Sequence, residues 1–436
     1  MISITPPGGV PHKKPAVNLK ECMLKRYLHI DLNQTDDRNA LFLVVEIFWA
    51  AFLSSAAAFN GIMAVRLGAS NEDIGLLSSI PALLAIAISI PSGRFLQSRT
   101  QKKPWILWSL AINRTSYLLL ALVPLLKFFG LPVGQIAVWL LILISIPAQF
   151  FNIGFVPLLA EAIPEERRAA VFSARNIVLS VTVSILTYLA GFWLDKVLFP
   201  VNYQILYAFS FGASMLSQYF LVKISVTEAA PVPPSPPAHR SLGQRLTAFW
   251  QPFVGQPQFT RIVRNTLMYG MGIWMAAPLY VLFFVKSLGA NEAWIGLNGT
   301  VSGVANIFGY MFWRWAISRW GEPHILKLTI LWAGFTALLI GLFDNLTLTL
   351  LVTAVNGLIT PGLNLAHFNT FLKVIPADRR LEYHGLYSTI MNVGAFISPL
   401  ISVALAGVVG LGPMLMVCGV LCILGSTSFW WWPVGP

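Results

Sequence analysis

The sequence predicts an all-α integral membrane protein with twelve transmembrane helices in two parallel six-helix halves. Three observations lead there. Hydrophobic residues make up 56% of the 436 positions and charged residues 11%, against roughly 25% charged in a soluble domain. The apolar residues come in runs long enough to cross a hydrocarbon core of about 30 Å, which takes about 20 residues of helix. Two short segments of the first half recur, in order, in the second.

In chain order, residues 1–37 form a polar tail with Pro6, Pro7, Pro11 and Pro15 and no apolar stretch of the kind a secretion signal needs. Six spans follow at 38–66, 72–96, 104–126, 133–160, 171–195 and 202–223, each closed by a short hydrophilic break. A long polar segment, 224–261, then links to a second half at 262–436, with spans at 262–287, 291–315, 325–343, 346–372, 383–407 and 411–431. The linker holds five prolines between Pro231 and Pro237 and cannot be helical there. Its Ser241–Phe253 stretch mixes apolar and basic residues, suiting either a plain tether or a helix lying on the membrane. Cys22 lies in the tail, and Cys418 and Cys422 one turn apart in the last span, so no disulfide framework is expected.

Lysine and arginine set the orientation. With the N-terminus inside, 23 of the 29 basic residues fall on the inner side and four (Arg66, Lys127, Lys196 and Lys286) on the outer. Both termini are therefore expected in the cytoplasm, with the spans in the cell membrane. The same topology accounts for the net charge of +12, which otherwise would raise a nucleic-acid partner. Arg167 and Arg168 at the inner end of span four, and Arg379 and Arg380 at that of span ten, are placed to anchor the protein to anionic lipid.

The repeat strengthens this plan. Leu67-Gly-Ala-Ser-Asn-Glu-Asp-Ile-Gly-Leu76 aligns without a gap on Leu288-Gly-Ala-Asn-Glu-Ala-Trp-Ile-Gly-Leu297, with six of ten positions identical. Ile163-Pro-Glu-Glu-Arg-Arg168 matches Ile375-Pro-Ala-Asp-Arg-Arg380. The pairs precede spans two and eight, and spans five and eleven. A duplicated unit of six spans puts both copies in one orientation, as in a common transporter plan.

With twelve spans, a long middle loop and a basic loop after span two, nearly the whole chain resembles the major facilitator superfamily. That family's signature in the basic loop is Gly, Asp, a basic residue, a second Gly and further basic residues. Here the loop offers Gly93, Arg94, Gln97, Arg99, Lys102 and Lys103, with Gln97 where the Asp is usual and Thr100 where the second Gly is usual. The resemblance implies alternating access by rocking of the halves, a cavity lined by spans one, four, seven and ten, and a cytoplasmic gate at the signature loop.

Polar groups within spans are costly and so are candidates for function. Glu46 lies among Val44, Val45, Ile47, Phe48 and Trp49. It could exchange the coupling proton, as a carboxylate on span one does in proton-coupled members of the resembled family. It could instead form a structural pair with Arg114 at similar depth in span three, or touch the substrate. Span ten carries Asn356, Thr360, Asn364 and His367 on one face, and span four carries Ser145, Gln149 and Asn152. Trp49 and Asn60 accompany Glu46 on span one, and Tyr269 and Tyr280 align on span seven. These stripes either face the cavity or bond helix to helix.

No GxxxxGK phosphate loop, His/Cys metal spacing or serine–histidine–acid set occurs in the sequence, so no enzyme activity, cofactor or metal is expected. The expected function is secondary transport of a small solute by a monomer, with proton coupling through Glu46 as one drive. The 15 Trp and 29 Phe make a lipophilic or amphipathic solute attractive. The competing reading is a non-transporting membrane scaffold or assembly factor.

Overall fold

A computed structural model describes residues 33–226, 253, 255–376 and 379–434. The proline-rich stretch, most of Ser241–Phe253, the first 32 residues and Asp378 lie outside the described residues. Twelve helical rods account for nearly all the rest, and no strand occurs among the described residues.

Span one is Thr35–Ala57 continued, after a bend, by Asn60–Arg66. Spans two to six are Asn71–Gln97, Lys103–Leu122 with a 3₁₀ turn over Val123–Phe129, Val133–Ala162, Glu165–Lys196 and Val201–Lys223. The second half repeats them: Pro257–Leu282 with a π turn over Phe283–Ser287, then Glu292–Trp320, Glu322–Leu342, Leu346–Val374, Arg380–Val409 and Leu411–Trp431. Span five starts at Glu165 rather than 171, so Arg167 and Arg168 belong to its first turn and not to a break.

Eleven of these rods are apolar enough to cross a membrane by length and composition; span eight, at 29 residues, is long enough but falls short in hydropathy. Its composition follows from its neighbours. Gly296 and Gly309 on span eight, and Gly357 on span ten, let backbones approach so closely that an added Cβ would lie 2.4–2.7 Å from a neighbouring carbonyl oxygen. Small residues at helix contacts replace the apolar bulk that a lipid-facing span needs.

The two copies of the Leu-Gly-Ala turn fold alike. Gly68 and Gly289 take φ of +92° and +63°, a left-handed conformation that glycine adopts without a Cβ clash. Ser70 and Asn291 then cap the next helix, accepting from the N–H of Asp73 and Trp294.

In the first half, span one packs on spans five and six, span three on four and six, and span two on four; in the second, span seven packs on eleven and twelve, nine on ten and twelve, and eight on ten. Between halves, span five meets span eight and span two meets span eleven, two contacts that the repeat makes equivalent. At the arginine-poor end, one buried cluster runs through both halves, joining Ala64, Ile74 and Val138 to Leu279, Phe283 and Val403. At the basic end, one cluster (Leu43, Leu96, Ile106, Leu221) belongs to the first half and another (Phe259, Ile325, Phe371, Tyr383) to the second. The halves thus share a core at one end and keep separate cores at the other.

Candidate functional site: the space between the halves

The shared end is sealed by polar contacts as well as packing. Arg66, the last residue of span one, donates from Nε and Nη2 to the two carboxylate oxygens of Glu292 at 3.0 and 3.3 Å. Tyr203 Oη on span six adds a bond to Glu292 at 3.4 Å. Across the seal, Lys286 at the end of span seven donates to Asn71 Oδ1 at 2.7 Å. A Cβ on Gly191 of span five would lie 2.6 Å from the Glu292 carbonyl oxygen, and Thr300 Oγ1 of span eight donates to the Ser184 carbonyl at 2.8 Å.

The basic end differs. Its ion pairs Lys102–Glu161, Arg167–Asp37, Lys373–Glu322 and Arg379–Glu382 each stay within one half. Among the described residues, Arg66–Glu292 is the ion pair that joins the halves.

The polar stripes divide. Asn152 and Asn364 are exposed and Gln149 is half-buried, and none of the three bonds a protein group among the described residues. Facing lipid, an amide without partners would cost several kcal/mol. Ser145 and Thr360 are half-buried and bond back to carbonyls of their own helices, Ile142 and Asn356. Trp49 is half-buried and stacks on Phe52 at 5.8 Å.

Asn60 and Asn356 instead bond helix to helix. Asn60 Oδ1 accepts from Tyr207 Oη of span six at 2.9 Å, and its Nδ2 reaches Tyr117 Oη of span three at 3.5 Å. Asn356 Oδ1 accepts from Thr336 Oγ1 of span nine at 3.0 Å. Tyr269 is buried in the basic-end core of the second half, while Tyr280 stacks on Phe284 beside the seal, so the two tyrosines share no common surface. His367 Nε2 lies 2.8 Å from Thr266 Oγ1, which joins span ten to span seven, with Tyr387 of span eleven at 6.1 Å between ring centres.

Glu46 is buried, and its direct partner is Arg175 of span five rather than Arg114. Arg175 donates from Nε and Nη2 to Glu46 Oε1 at 2.9 and 2.7 Å. Ser217 of span six donates to Glu46 Oε2 at 2.9 Å and accepts from Arg114 Nη2 at 2.7 Å, while Arg114 Nη1 donates to Gln218 at 2.9 Å. The reason lies in the packing: span three lies against spans four and six, so span six stands between Arg114 and span one. Arg175 also lies over the Phe155 ring of span four, 4.8 Å from its centre. One carboxylate thus ties spans one, five and six directly and spans three and four through its partners. An arginine ten residues into span five was the available signal for Arg175, but spacing along one helix does not show which other helix it will reach.

The signature loop binds mostly within its own half. Lys103 Nζ donates to the carbonyls of Val222 and Ile224 at 2.7 and 2.6 Å, capping span six. Lys102 pairs with Glu161 at 3.4 Å beside a recess that Gly93 and Gln97 also line, and Arg99 lies over Phe95. Arg94 and Gln97 are exposed. Arg167 pairs with Asp37 of span one, and Arg168 caps span four by donating to the Ala160 and Ile163 carbonyls at 2.6 and 2.9 Å. Arg379 pairs with Glu382 and Arg380 is exposed.

Two duplicated six-helix units that share a core at one end and keep separate cores at the other have the architecture of a multi-pass membrane transporter. The model of the Major Facilitator Superfamily matches residues 262–436, the second half of the chain. A Deinococcus radiodurans protein whose name assigns it to sugar efflux is 24% identical over 404 residues, covering 90% of this chain and 97% of its own. Among solved structures, the nucleoside transporter NupG is 13% identical with a TM-score of 0.61, covering 90% of this chain and 98% of that one. An auto-inhibited peptide transporter of the POT family is 11% identical with a TM-score of 0.66, covering 90% and 96%. At such identities the two structures bear on the fold alone.

Proposed function

We infer that the protein is a secondary active transporter that moves a small polar solute by alternating access, and that the basic, open end is its cytoplasmic face. The observation that carries this is the gathering of contacts between the halves at one end, with a separate core in each half at the other. A rigid scaffold has no need of two halves that can part; a transporter does. Lysine and arginine concentrate at the open end, which supports a cytoplasmic assignment with both termini inside. The amides of Gln149, Asn152 and Asn364, with Trp49, suit a hydroxyl-bearing solute that has an apolar face. The name of the Deinococcus radiodurans relative, for sugar efflux, lies in the same chemical range.

The bonds on Glu46 favour the structural tie over proton coupling. Both its oxygens accept charged or hydroxyl donors, and losing the charge would leave two arginines without a counter-ion.

Counterflow in proteoliposomes, with labelled sugars and nucleosides, tests transport directly. Cysteines placed at Ala69 and Ala290, which are 3% and 0% exposed in the seal, test alternating access. They should react slowly with an impermeant maleimide, and a transported solute should change that rate. A rate that no transported solute alters would overturn alternating access.

A further inference from the structure

Charge is unbalanced in the middle of the membrane. Among the described residues, the carboxylates other than Glu46 lie at helix ends: Asp36, Asp37, Glu161, Glu165, Glu166, Glu322 and Glu382 at the basic end, and Glu72, Asp73, Asp195, Glu292 and Asp344 at the other. Glu46 faces two arginines, Arg114 and Arg175. In the second half His367, held to Thr266, and Arg264 lie nearer the basic ends of spans ten and seven. At the depth of Glu46 the charge is therefore two cations against one anion.

The surplus charge is accessible at one place. Arg114 is buried and spends Nη1 and Nη2 on Gln218 and Ser217. Arg175 spends Nε and Nη2 on Glu46, and its Nη1 has no protein partner among the described residues. That nitrogen is not sealed either, since it is absent from the buried polar atoms lacking a partner, and the side chain keeps 16% of its surface exposed. Its guanidinium reaches from span five past Glu46 to the Phe155 ring on span four. Spans five and four do not pack along each other, so the group that bridges them lies on the concave wall of the first half, facing the space between the halves.

We propose that the transported solute is an anion, whose carboxylate or phosphate group is bound by the free Nη1 edge of Arg175. This rests on the transport reading above and narrows its solute class. A cation in a low-dielectric wall attracts an oxyanion far more strongly than it would in water, and a guanidinium offers a fixed donor geometry for such a group. Glu46 fixes the arginine's orientation with two of its donors, leaving the third side for the solute. The hydroxyl-binding amides on spans four and ten would then hold the rest of the molecule.

The test is thermal unfolding of the full-length protein in detergent, in chloride-free buffer at fixed ionic strength. Three probes share a glucopyranose ring: glucuronate carries a carboxylate, glucose 6-phosphate a phosphate, and methyl glucoside no charge. At least one of the two anions should raise Tm saturably, because a ligand that binds the folded state stabilises it, and the glucoside should shift it less. Which anion acts decides between carboxylate and phosphate. Arg175→Lys keeps the charge on Glu46 but loses the free arm, and should weaken the active anion on the order of tenfold. The proposal is overturned if neither anion shifts Tm, if the glucoside shifts it as much as the anions, or if Arg175→Lys leaves anion affinity unchanged. A shift by the glucoside alone leaves transport standing, since counterflow decides that question separately.

Discussion

Replacing Glu292 with Gln should open the sealed end. Glu292 and Arg66 approach to 3.0 Å, with the carboxylate side chain 11% exposed and the guanidinium side chain 38% exposed. At an effective dielectric of about 20, two unit charges at that distance attract by roughly 5 kcal/mol, which is a ceiling. Exposure of Arg66 screens part of this, and glutamine keeps one acceptor for it. The net loss should lie between an exposed and a buried pair, about 1–2 kcal/mol. Because the pair joins the halves, that energy is lost from the sealed state and not from one that opens there. The open population should then rise about 5–30-fold. Cysteine at Ala69, buried in the seal, reports it as the rate of reaction with an impermeant maleimide, after Cys22, Cys418 and Cys422 are replaced. An unchanged rate would refute the reasoning. So would failure of the swapped pair, Arg66→Glu with Glu292→Arg, to bring the rate back down.

Two further outcomes follow from the geometry. Glu46→Gln leaves Arg175 and Arg114 without their carboxylate and should cost about 3–5 kcal/mol of stability. Adding Arg175→Gln should recover most of this in thermal unfolding and Arg114→Gln little; recovery through Arg114 instead would return the direct partnership to span three. Phe128→Cys, at a position 87% exposed on the arginine-poor face, should react with an impermeant maleimide on intact cells. Ser98→Cys, exposed on the basic face, should react only after permeabilisation, and the reverse pattern would invert the orientation.

The sequence displays what depends on one helix at a time. Length and the spacing of hydrophilic breaks mark a span without reference to its neighbours, so all twelve rods are legible in the sequence, eleven of them apolar enough by hydropathy as well. Span eight is legible as a run between breaks, but the reason for its glycines appears only beside spans five and ten. The repeat marks which contacts should be equivalent, since Leu67–Leu76 and Leu288–Leu297 fold into matching turns and caps. Side-chain partners are a different matter. Arg114 and Arg175 both lie within apolar runs, and the choice between them as partner of Glu46 depends on which helix span six separates from span one. Asn60 and Asn364 likewise read alike as amides in a span. One meets two tyrosines inside its own half, while the other is exposed without a protein partner.

Asn71 and Glu292 occupy the same place in the two copies of the repeat, yet one accepts from Lys286 as a neutral amide and the other holds Arg66 as an ion. The backbone contacts are unequal in the same sense. Beside Glu292, spans five and eight meet main chain to main chain, where a Cβ would lie 2.6–2.7 Å from a carbonyl oxygen; beside Asn71, Gly75 of span two meets the yielding Val403 side chain at 3.1 Å. Duplication supplied two matching clasps, and divergence strengthened one of them. When the sealed end opens, the weaker edge should part first while the stronger one acts as a hinge pin. The halves then swing like a door and do not draw apart evenly like a pair of jaws, and a solute leaving on that side would pass along the edge of spans two and eleven.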